Sequence, residues 1–244
     1  MKALIISGSN RGLGKELEIQ FNPLFDYVIT VNRSGLMVSK GFEVMSHMSL
    51  SHYLNDVSAF DKMLQDIEFS EVFLINNAGT IGETALIGEM SFNSFNEDFI
   101  VNCEMPFKLT NSVLGLRGLA VVRILNVSSG VSIKPQPGWS FYSASKAFLN
   151  SLTRSVIVEQ IDGKSDGRVV LCSSINPGPL NTDMQREIRI LSIQRFPNLQ
   201  RFINLYEKNG LRGPELVASK IKELYLSGVL FENEFLDFNS LEWL

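Results

Sequence analysis

The chain of 244 residues has only two cysteines and two histidines. Cys103 and Cys172 lie far apart in the sequence, without a CxxC pair or a histidine at zinc-ligand spacing. We therefore predict no metal site, and we expect the cysteines to be buried thiols in a reducing compartment. His47 and His52 fall in a poorly patterned stretch with no partner motif. We expect structural or surface roles for these histidines rather than catalytic ones.

The sequence also has no excess of basic residues and no long apolar run. Its formal net charge is −4, which argues against a nucleic-acid-binding protein. Arginines recur at helical spacing between residues 186 and 201, but apolar residues are interleaved with them, a pattern typical of a solvated helix face. The first residues contain too short an apolar run for a signal peptide, and no run could span a bilayer. We expect a cytoplasmic protein with no nucleic-acid or membrane partner.

Short apolar runs alternate with amphipathic stretches along the chain. Because these runs are continuous rather than alternating with polar residues, they predict parallel strands that are covered on both faces. The sequence therefore predicts an α/β fold, with one doubly wound, mainly parallel, seven-stranded sheet and helices on both faces, in a single domain over residues 1–244. The predicted strands are residues 2–7, 27–31, about 42–45, 72–75, 120–127, 168–175 and 235–238.

The amphipathic stretches predict the helices between these strands. A long helix is expected from about residue 91 to residue 114, and Pro106 should begin its second part or kink it. The segment 34–54 has the weakest pattern, and we expect a short helical turn there before the third strand. Helices over residues 183–212 should cover the substrate. The remaining helices are expected at residues 15–21, 56–67, 140–160 and 214–226.

A glycine-rich turn follows the first strand and opens the first helix. Gly8, Gly12 and Gly14 permit a tight turn and let backbone N–H groups approach a pyrophosphate at a helix N-terminus. The spacing excludes a phosphate-binding P-loop, because Gly8 and Gly14 are one residue too far apart and Glu16 stands where serine or threonine should follow Lys15. The turn therefore predicts a dinucleotide site rather than a nucleoside triphosphatase.

The end of the second strand indicates which dinucleotide is bound. An NAD-specific site usually has Asp or Glu there to accept from the ribose 2′-hydroxyl, whereas this chain has Asn32 followed by Arg33. Arg11 lies within the glycine turn itself. Two guanidinium groups suit a 2′-phosphate, because arginine binds phosphate through paired, charge-assisted hydrogen bonds. We predict NADP(H) as the cofactor.

Candidate catalytic residues follow the strand that ends near residue 127. Ser129 follows this strand, at the edge where open α/β sheets place their ligands. Tyr142 and Lys146 are four residues apart on the next helix, so they share one face. A hydroxyl, a phenol and an ammonium group that converge in this way predict a proton-donating site.

These motifs occur in the order that characterises one family. The glycine turn, residues 76–79 (Asn-Asn-Ala-Gly), Ser129, the Tyr142–Lys146 pair and Pro177-Gly178 together resemble the short-chain dehydrogenase/reductase family over nearly the whole chain. The resemblance implies a Rossmann-type reductase domain. It also implies that Asn102 is a fourth catalytic residue, beside Ser129, Tyr142 and Lys146, and supports a proton relay from the lysine through water.

The resemblance also implies a set of cofactor contacts. Asp56 and Val57 match the family's adenine-contacting pair, and Ile175 and Thr182 would lie near the nicotinamide. The full implied set is Gly8, Ser9, Asn10, Arg11, Gly12, Leu13, Gly14, Asn32, Arg33, Asp56, Val57, Asn77, Ala78, Gly79, Tyr142, Lys146, Pro177, Gly178 and Thr182. A homodimer or homotetramer is implied as well, formed through the helices at about 91–114 and 140–160.

Narrower features resemble sepiapterin reductases, namely the run at residues 177–185, the Gly138-Trp139 pair and the ending at residues 235–238. In that group a C-terminal aspartate anchors the pterin, and Asp237 holds the matching position. The carboxylate could equally do no more than cap or solvate a strand end. Bacterial reductases of vicinal diketones such as benzil share much of this pattern. The implied substrate contacts are Ser129, Trp139, Tyr142, Met184 and Asp237.

The sequence thus predicts hydride transfer from NADPH to a ketone or vicinal dicarbonyl. Ser129 would bind the carbonyl oxygen and Tyr142 would protonate the alkoxide, while Lys146 lowers the pKa of the phenol and holds the nicotinamide ribose. Two alternatives stay open. One is an NADP-binding regulator without catalysis, and the other is an NAD-dependent alcohol dehydrogenase of the same fold.

Overall fold

A computed structural model describes residues 1–33, 35–40, 43–48, 57–162 and 167–241 of the chain. Asp56 and His52 lie outside the described residues, as do the side chains of Val57 and His47. The strands are β1 (Lys2–Ser7), β2 (Tyr27–Asn32), β3 (Gly35–Lys40), β4 (Glu43–Met48), β5 (Glu71–Asn76), β6 (Val121–Val127), β7 (Val169–Asn176) and β8 (Phe235–Asp237).

All eight strands form one sheet in the order β4-β3-β2-β1-β5-β6-β7-β8. The ladders from β2 through β1, β5, β6 and β7 to β8 are parallel. Every residue of β2 is buried, as is all of β1 except its first residue, because helices cover both faces of the sheet. The prediction of a doubly wound, mainly parallel sheet in a single domain is confirmed, with eight strands instead of seven.

The additional strand lies between β2 and the predicted third strand. That third strand, expected at about residues 42–45, corresponds to β4, while β3 occupies residues for which we expected a helical turn. β3 runs antiparallel to both β2 and β4. The expectation of a turn was wrong because residues 35–40 are separated from β2 by only two residues, and so short a connection favours an antiparallel partner.

The helices are α1 (Gly12–Phe21), α2 (Val57–Gln65), α3 (Phe95–Phe99), α4 (Met105–Gly115), α5 (Ser140–Asp162), α6 (Asp183–Arg189), α7 (Leu199–Glu207) and α8 (Pro214–Ser227). A π-helical turn, Ile100–Glu104, joins α3 to α4, and Pro106 stands in the first turn of α4 as expected. Within the described ranges, no helix combines the length and the apolar character that a membrane crossing requires.

Each face of the sheet carries its own hydrophobic core. Along β1, Ala3 and Ile5 point into the core beneath α2, α4 and α5, whereas Leu4 and Ile6 point into the core beneath α1 and α8. These four side chains are fully buried. Burying a leucine or isoleucine side chain stabilises the fold by about 1.5–3 kcal/mol, so Leu4, Ile5 and Ile6 bind β1 to the helix layers on both faces of the sheet.

The parallel register brings several strand ends to one edge of the sheet. Ser7 pairs with Asn76, Asn76 with Asn126, and Asn176 with Asp237. A third apolar cluster covers this edge and includes Trp139, Ile188, Phe196 and Phe202. The polar residues at the ends of β1, β5, β6, β7 and β8 therefore lie side by side beneath this cluster.

Candidate active site

A cleft of about 890 Å³ opens along this carboxyl edge of the sheet. Its walls come from the glycine turn after β1, the loops after β5, β6 and β7, the start of α5, and helices α6 and α7. Ligands of doubly wound sheets bind at this edge. The cleft is large enough to hold more than one small molecule side by side.

The glycine turn at one end of the cleft has no room for side chains. Gly8 has φ +73°, and a Cβ there would lie 2.7 Å from Ala78 Cα. A Cβ on Gly14 would lie 2.1 Å from the Gly8 oxygen. Asn77 closes the turn from β5, since its Nδ2 donates to the carbonyl oxygens of Ser7 (3.1 Å) and Gly8 (2.9 Å).

The turn leads directly into α1, whose first N–H groups point out of the helix. Among the described residues, no side chain caps this end at Arg11. A helix N-terminus without a cap, under a turn that leaves bare backbone, fits a pyrophosphate group. The residues present therefore suit a dinucleotide, as the sequence predicted.

Ser9 and Asn32 are bonded to each other beneath the turn. The Ser9 N–H donates to Asn32 Oδ1 at 2.8 Å, and Asn32 Nδ2 donates to Ser9 Oγ at 3.3 Å. Both side chains are buried, and of the two only Asn32 lines the cleft. The pair fastens the turn to the end of β2, so Ser9 supports the site from behind.

The two predicted phosphate-binding arginines lie at the mouth of the cleft and are exposed. Arg11 makes ion pairs with two carboxylates of α6, at 3.2 Å from Nη1 to Asp183 Oδ2 and 3.5 Å from Nη2 to Glu187 Oε1. The sequence analysis missed these partners, because 172 residues separate Arg11 from Asp183. The glycine turn and α6 are thus linked by charge.

Ser129, Tyr142 and Lys146 come together in the wall of the cleft. Burial raises the pKa of Tyr142 to about 12, while a hydrogen bond with Ser129 acts to lower it. Burial lowers the pKa of Lys146 to about 8. Lys146 Nζ donates to the carbonyl oxygen of Val127 at 2.8 Å and lies 5.8 Å from the centroid of the Tyr142 ring.

Asn102 lies behind this group, in the π-helical turn, and does not line the cleft. Its Nδ2 donates to the Thr80 carbonyl (2.8 Å) and to Ser145 Oγ (3.1 Å), and its Oδ1 accepts from the Thr80 N–H (2.9 Å). A Cβ on Gly79 would stand 3.1 Å from Lys146 Nζ. The bonds of Asn102 therefore fix the loop that leaves space for the lysine.

Aromatic side chains form the wall of the cleft near Tyr142. Trp139 stacks on Phe196, with ring centroids 4.3 Å apart, and meets Tyr142 edge to face at 5.7 Å. Met184, at the start of α6, lines the same part of the cleft. A flat, apolar group would fit against this wall.

Asp237 lies at the end of β8 and lines the cleft. Its Oδ1 accepts from Asn176 Nδ2 at 2.9 Å and from Asn239, at 2.9 Å through the backbone N–H and 3.0 Å through Nδ2. The carboxylate therefore binds neighbouring loops and also faces the cavity. Both roles that the sequence left open for Asp237 are compatible with this position.

Leaving aside Asp56 and Val57, the cleft brings together all the predicted site residues except Ser9, Asn102 and Ile175. Asp56 lies outside the described residues, and the side chain of Val57 is not described. The structure adds residues that no motif had singled out, because they come from loops and helices without a repeating pattern. Among them are Asp98, Lys134, Gln136, Arg201 and Asn239.

Comparisons with known proteins agree with this geometry. The family described as short chain dehydrogenase matches residues 2–190. The chain is 30% identical to benzil reductase ((S)-benzoin forming) of Bacillus cereus, over 92% of this chain and 94% of that protein. It is 31% identical to sepiapterin reductase of Bos taurus, over 67% of this chain and 58% of that protein. The solved structure of 4-hydroxyisoleucine dehydrogenase complexed with NADH has the same fold, with a TM-score of 0.70, 21% identity, and coverage of 97% of this chain and 96% of that one.

Proposed function

Because this chain belongs to the short-chain dehydrogenase family, we propose that it is an NADPH-dependent carbonyl reductase. Its substrate would be a ketone or a vicinal dicarbonyl, such as an aromatic diketone or the side chain of a pterin. The observation that carries the proposal is the convergence of Ser129, Tyr142 and Lys146 in a cleft that begins at the glycine turn. The similarity to benzil and sepiapterin reductases supports the substrate class.

The glycine turn and the start of α1 would hold the pyrophosphate of the cofactor. Arg11 and Arg33, at the mouth of the cleft, would bind the 2′-phosphate of NADP(H). The absence of an acidic residue at the end of β2 supports this choice, because Asn32 carries no charge that would repel phosphate. When bound, the cofactor supplies the hydride for the reduction.

Residues of the chain would bind the carbonyl oxygen of the substrate and donate the proton. Ser129 Oγ donates a hydrogen bond to the carbonyl oxygen, and Tyr142 gives its phenolic proton to the same oxygen as negative charge develops there. In the structure the pKa of this phenol is about 12, which is too high for easy proton exchange near neutrality. Positive charge on Lys146, one helical turn away, would lower it. Asn102 would act by holding the Thr80 loop and with it the space around Nζ.

The substrate would lie between Trp139, Met184 and Asp237. The aromatic wall suits a flat ring, and the carboxylate of Asp237 suits paired N–H donors such as those of a pterin. α6 and α7 would cover the substrate, as predicted for residues 183–212. We also propose a homo-oligomer formed through α3 to α5.

The test is NADPH consumption by the purified protein with sepiapterin and with benzil as substrates. Replacing Tyr142 by Phe should lower kcat about 10²–10³-fold with little change in NADPH binding, because it removes the donor to the oxyanion. Tyr206→Phe, an exposed tyrosine on α7, is the matched control and should keep full activity.

Asp237→Ala decides between the two substrates. Selective loss of sepiapterin reduction in this variant would assign Asp237 to the pterin, whereas unchanged benzil turnover without sepiapterin activity would indicate a general dicarbonyl reductase. Tight NADPH binding with no turnover of either substrate would refute the reductase proposal and favour a cofactor-binding regulator.

A further inference from the structure

The substrate wall contains two buried N–H donors that have no acceptor among the described residues. They are Trp139 Nε1 and Gln185 Nε2, and both residues line the cleft. Trp139 belongs to the apolar cluster of this wall, together with Ile188, Phe196 and Phe202. A buried donor without a partner destabilises a protein, so such groups are rare and often mark a ligand site.

Gln185 is held in one orientation by its neighbours on α6 and α7. Its Oε1 accepts from Arg189 Nη1 at 3.2 Å, one helical turn away. The Arg189 guanidinium lies 3.9 Å from the centroid of the Tyr206 ring, which fixes the arginine in turn. Because arginine can only donate, the oxygen of the amide must face Arg189 and the NH₂ group must face away from it.

The position of Gln185 places this NH₂ group in the wall of the cleft. The residue is only 3% exposed and directly follows Met184, which also lines the cleft. Ser129 and Tyr142, which would bind the reacting oxygen, line the same cavity. A substrate whose reacting carbonyl is bound by Ser129 and Tyr142 would contact Gln185 through another of its groups, one that does not react.

We propose that Gln185 is a specificity-determining residue whose Nε2 donates a hydrogen bond to a second oxygen of the substrate, next to the carbonyl that is reduced. This inference rests on the proposed function and narrows it to vicinal dicarbonyl compounds. A simple ketone has no acceptor at this position and would leave the donor unpaired in the complex. Binding sites built to hydrogen-bond a substrate group discriminate against analogues that lack it for this reason.

The experiment compares benzil with deoxybenzoin, which has the same two rings but a CH₂ group in place of the second carbonyl. kcat/KM is measured with NADPH for each substrate, in the wild type and in Gln185→Met, which has similar length and no donor. For each protein, kcat/KM for benzil is divided by kcat/KM for deoxybenzoin. Comparing this ratio between variant and wild type cancels the intrinsic reactivity of the two ketones. We expect the ratio to be about 3- to 10-fold lower in Gln185→Met than in the wild type, which is the effect of one hydrogen bond between neutral groups.

Gln185→Glu is the second variant, and Gln160→Met on α5 is the control outside the cleft. The glutamate keeps an acceptor for Arg189 but replaces the donor by an oxygen, so the benzil to deoxybenzoin ratio should fall at least as far. The control should leave the ratio unchanged. The Tm of Gln185→Met should not decrease by more than that of the control, because the substitution removes an unpaired polar group from the wall.

An unchanged ratio in both Gln185 variants, or an equal fall of kcat/KM for the two substrates, would overturn the inference and leave Gln185 as a packing residue. Failure of the wild type to reduce either ketone, with NADPH bound, would instead refute the proposed function itself.

Discussion

Tyr142 and Lys146 show how one environment changes two residues in opposite directions. Burial favours the neutral form of each, so the pKa of the phenol rises to about 12 and that of the ammonium falls to about 8. The site therefore contains an acid that is too weak and a cation that is easily lost. The shift at Lys146 lowers the stability of the unliganded protein below pH 8, whereas the shift at Tyr142 has no effect near neutrality because the phenol is neutral in the folded and the unfolded chain alike. Buried groups with shifted pKa values of this kind are typical of functional sites.

Replacing Lys146 by Met should stabilise the cofactor-free protein near pH 7. A fall in pKa from 10.5 to about 8 corresponds to roughly 3 kcal/mol of destabilisation of the wild type below pH 8. The free energy of unfolding of Lys146→Met should exceed that of the wild type by part of this amount. Between pH 8 and 10.5 the unfolded chain binds more protons than the folded one, so the wild type gains stability as pH rises and the difference between the proteins shrinks. Urea unfolding at pH 7 and at pH 10 measures both effects.

An equal free energy of unfolding for Lys146→Met and the wild type at pH 7 would show that the bond from Nζ to the Val127 carbonyl fully offsets the burial of the charge. A lower value for the variant at both pH values would show that Lys146 stabilises the fold.

At the scale of elements, α6 connects the two halves of the site. Thr182, the residue before its first turn, meets the glycine turn, since a Cβ on Gly12 would lie 3.2 Å from Thr182 Cγ2. Its carboxylates Asp183 and Glu187 bind Arg11, and its buried face carries Gln185 toward the substrate wall. The carboxylates that bind Arg11 and the side chain of Gln185 thus lie on opposite faces of a single short helix.

Asp183→Asn combined with Glu187→Gln should increase the affinity for NADPH, because the 2′-phosphate no longer competes with these carboxylates for Arg11. Since exposed ion pairs contribute about 0–1 kcal/mol, we expect an increase of about 2- to 5-fold. The affinity for NADH, which has no 2′-phosphate, should stay within experimental error. Fluorescence titration with the two cofactors measures the difference.

Asp66→Asn combined with Glu68→Gln changes the net charge equally at exposed positions before β5 and serves as the control. Equal changes in NADPH and NADH affinity would contradict the prediction, since they would mean that the ion pairs only hold α6 in place.

At the scale of the whole molecule, the outer faces of the helices on one side of the sheet carry exposed apolar side chains. Phe99 and Phe107 are 45% and 54% exposed, and Val158 on α5 is 56% exposed. The rings of Phe107 and Phe148 lie 6.4 Å apart, so the faces of α4 and α5 are continuous. These are the helices through which we predicted a homo-oligomer.

Phe107→Glu should shift the protein toward smaller species, because a charge in the centre of an apolar interface must be desolvated. Light scattering coupled to size-exclusion chromatography measures the mass of each species. Leu226→Glu, which changes an exposed leucine on α8, is the control and should leave the mass unchanged. An oligomer that persists in Phe107→Glu would place the subunit contact elsewhere.

The sequence by itself determined the parallel sheet, the glycine turn and the positions of Ser129, Tyr142 and Lys146. The sheet is confirmed and the three side chains line one cleft, because both outcomes depend on local patterns, whereas their catalytic role stays a prediction. Continuous apolar runs form buried strands, glycine permits the turn, and a spacing of four residues places two side chains on one helix face. Polar residues directly after parallel strands then meet at one edge, whatever the details of packing.

Only the tertiary structure decided which side chains these residues contact. It paired Arg11 with Asp183, gave Asp237 the amide of Asn176 as a donor, buried Asn102 against Thr80, and left Nε2 of Gln185 without an acceptor. It also placed β3 antiparallel to β2. Such contacts join residues that are distant in sequence or depend on the length of a connection, and no local pattern records which surfaces the folded chain brings together.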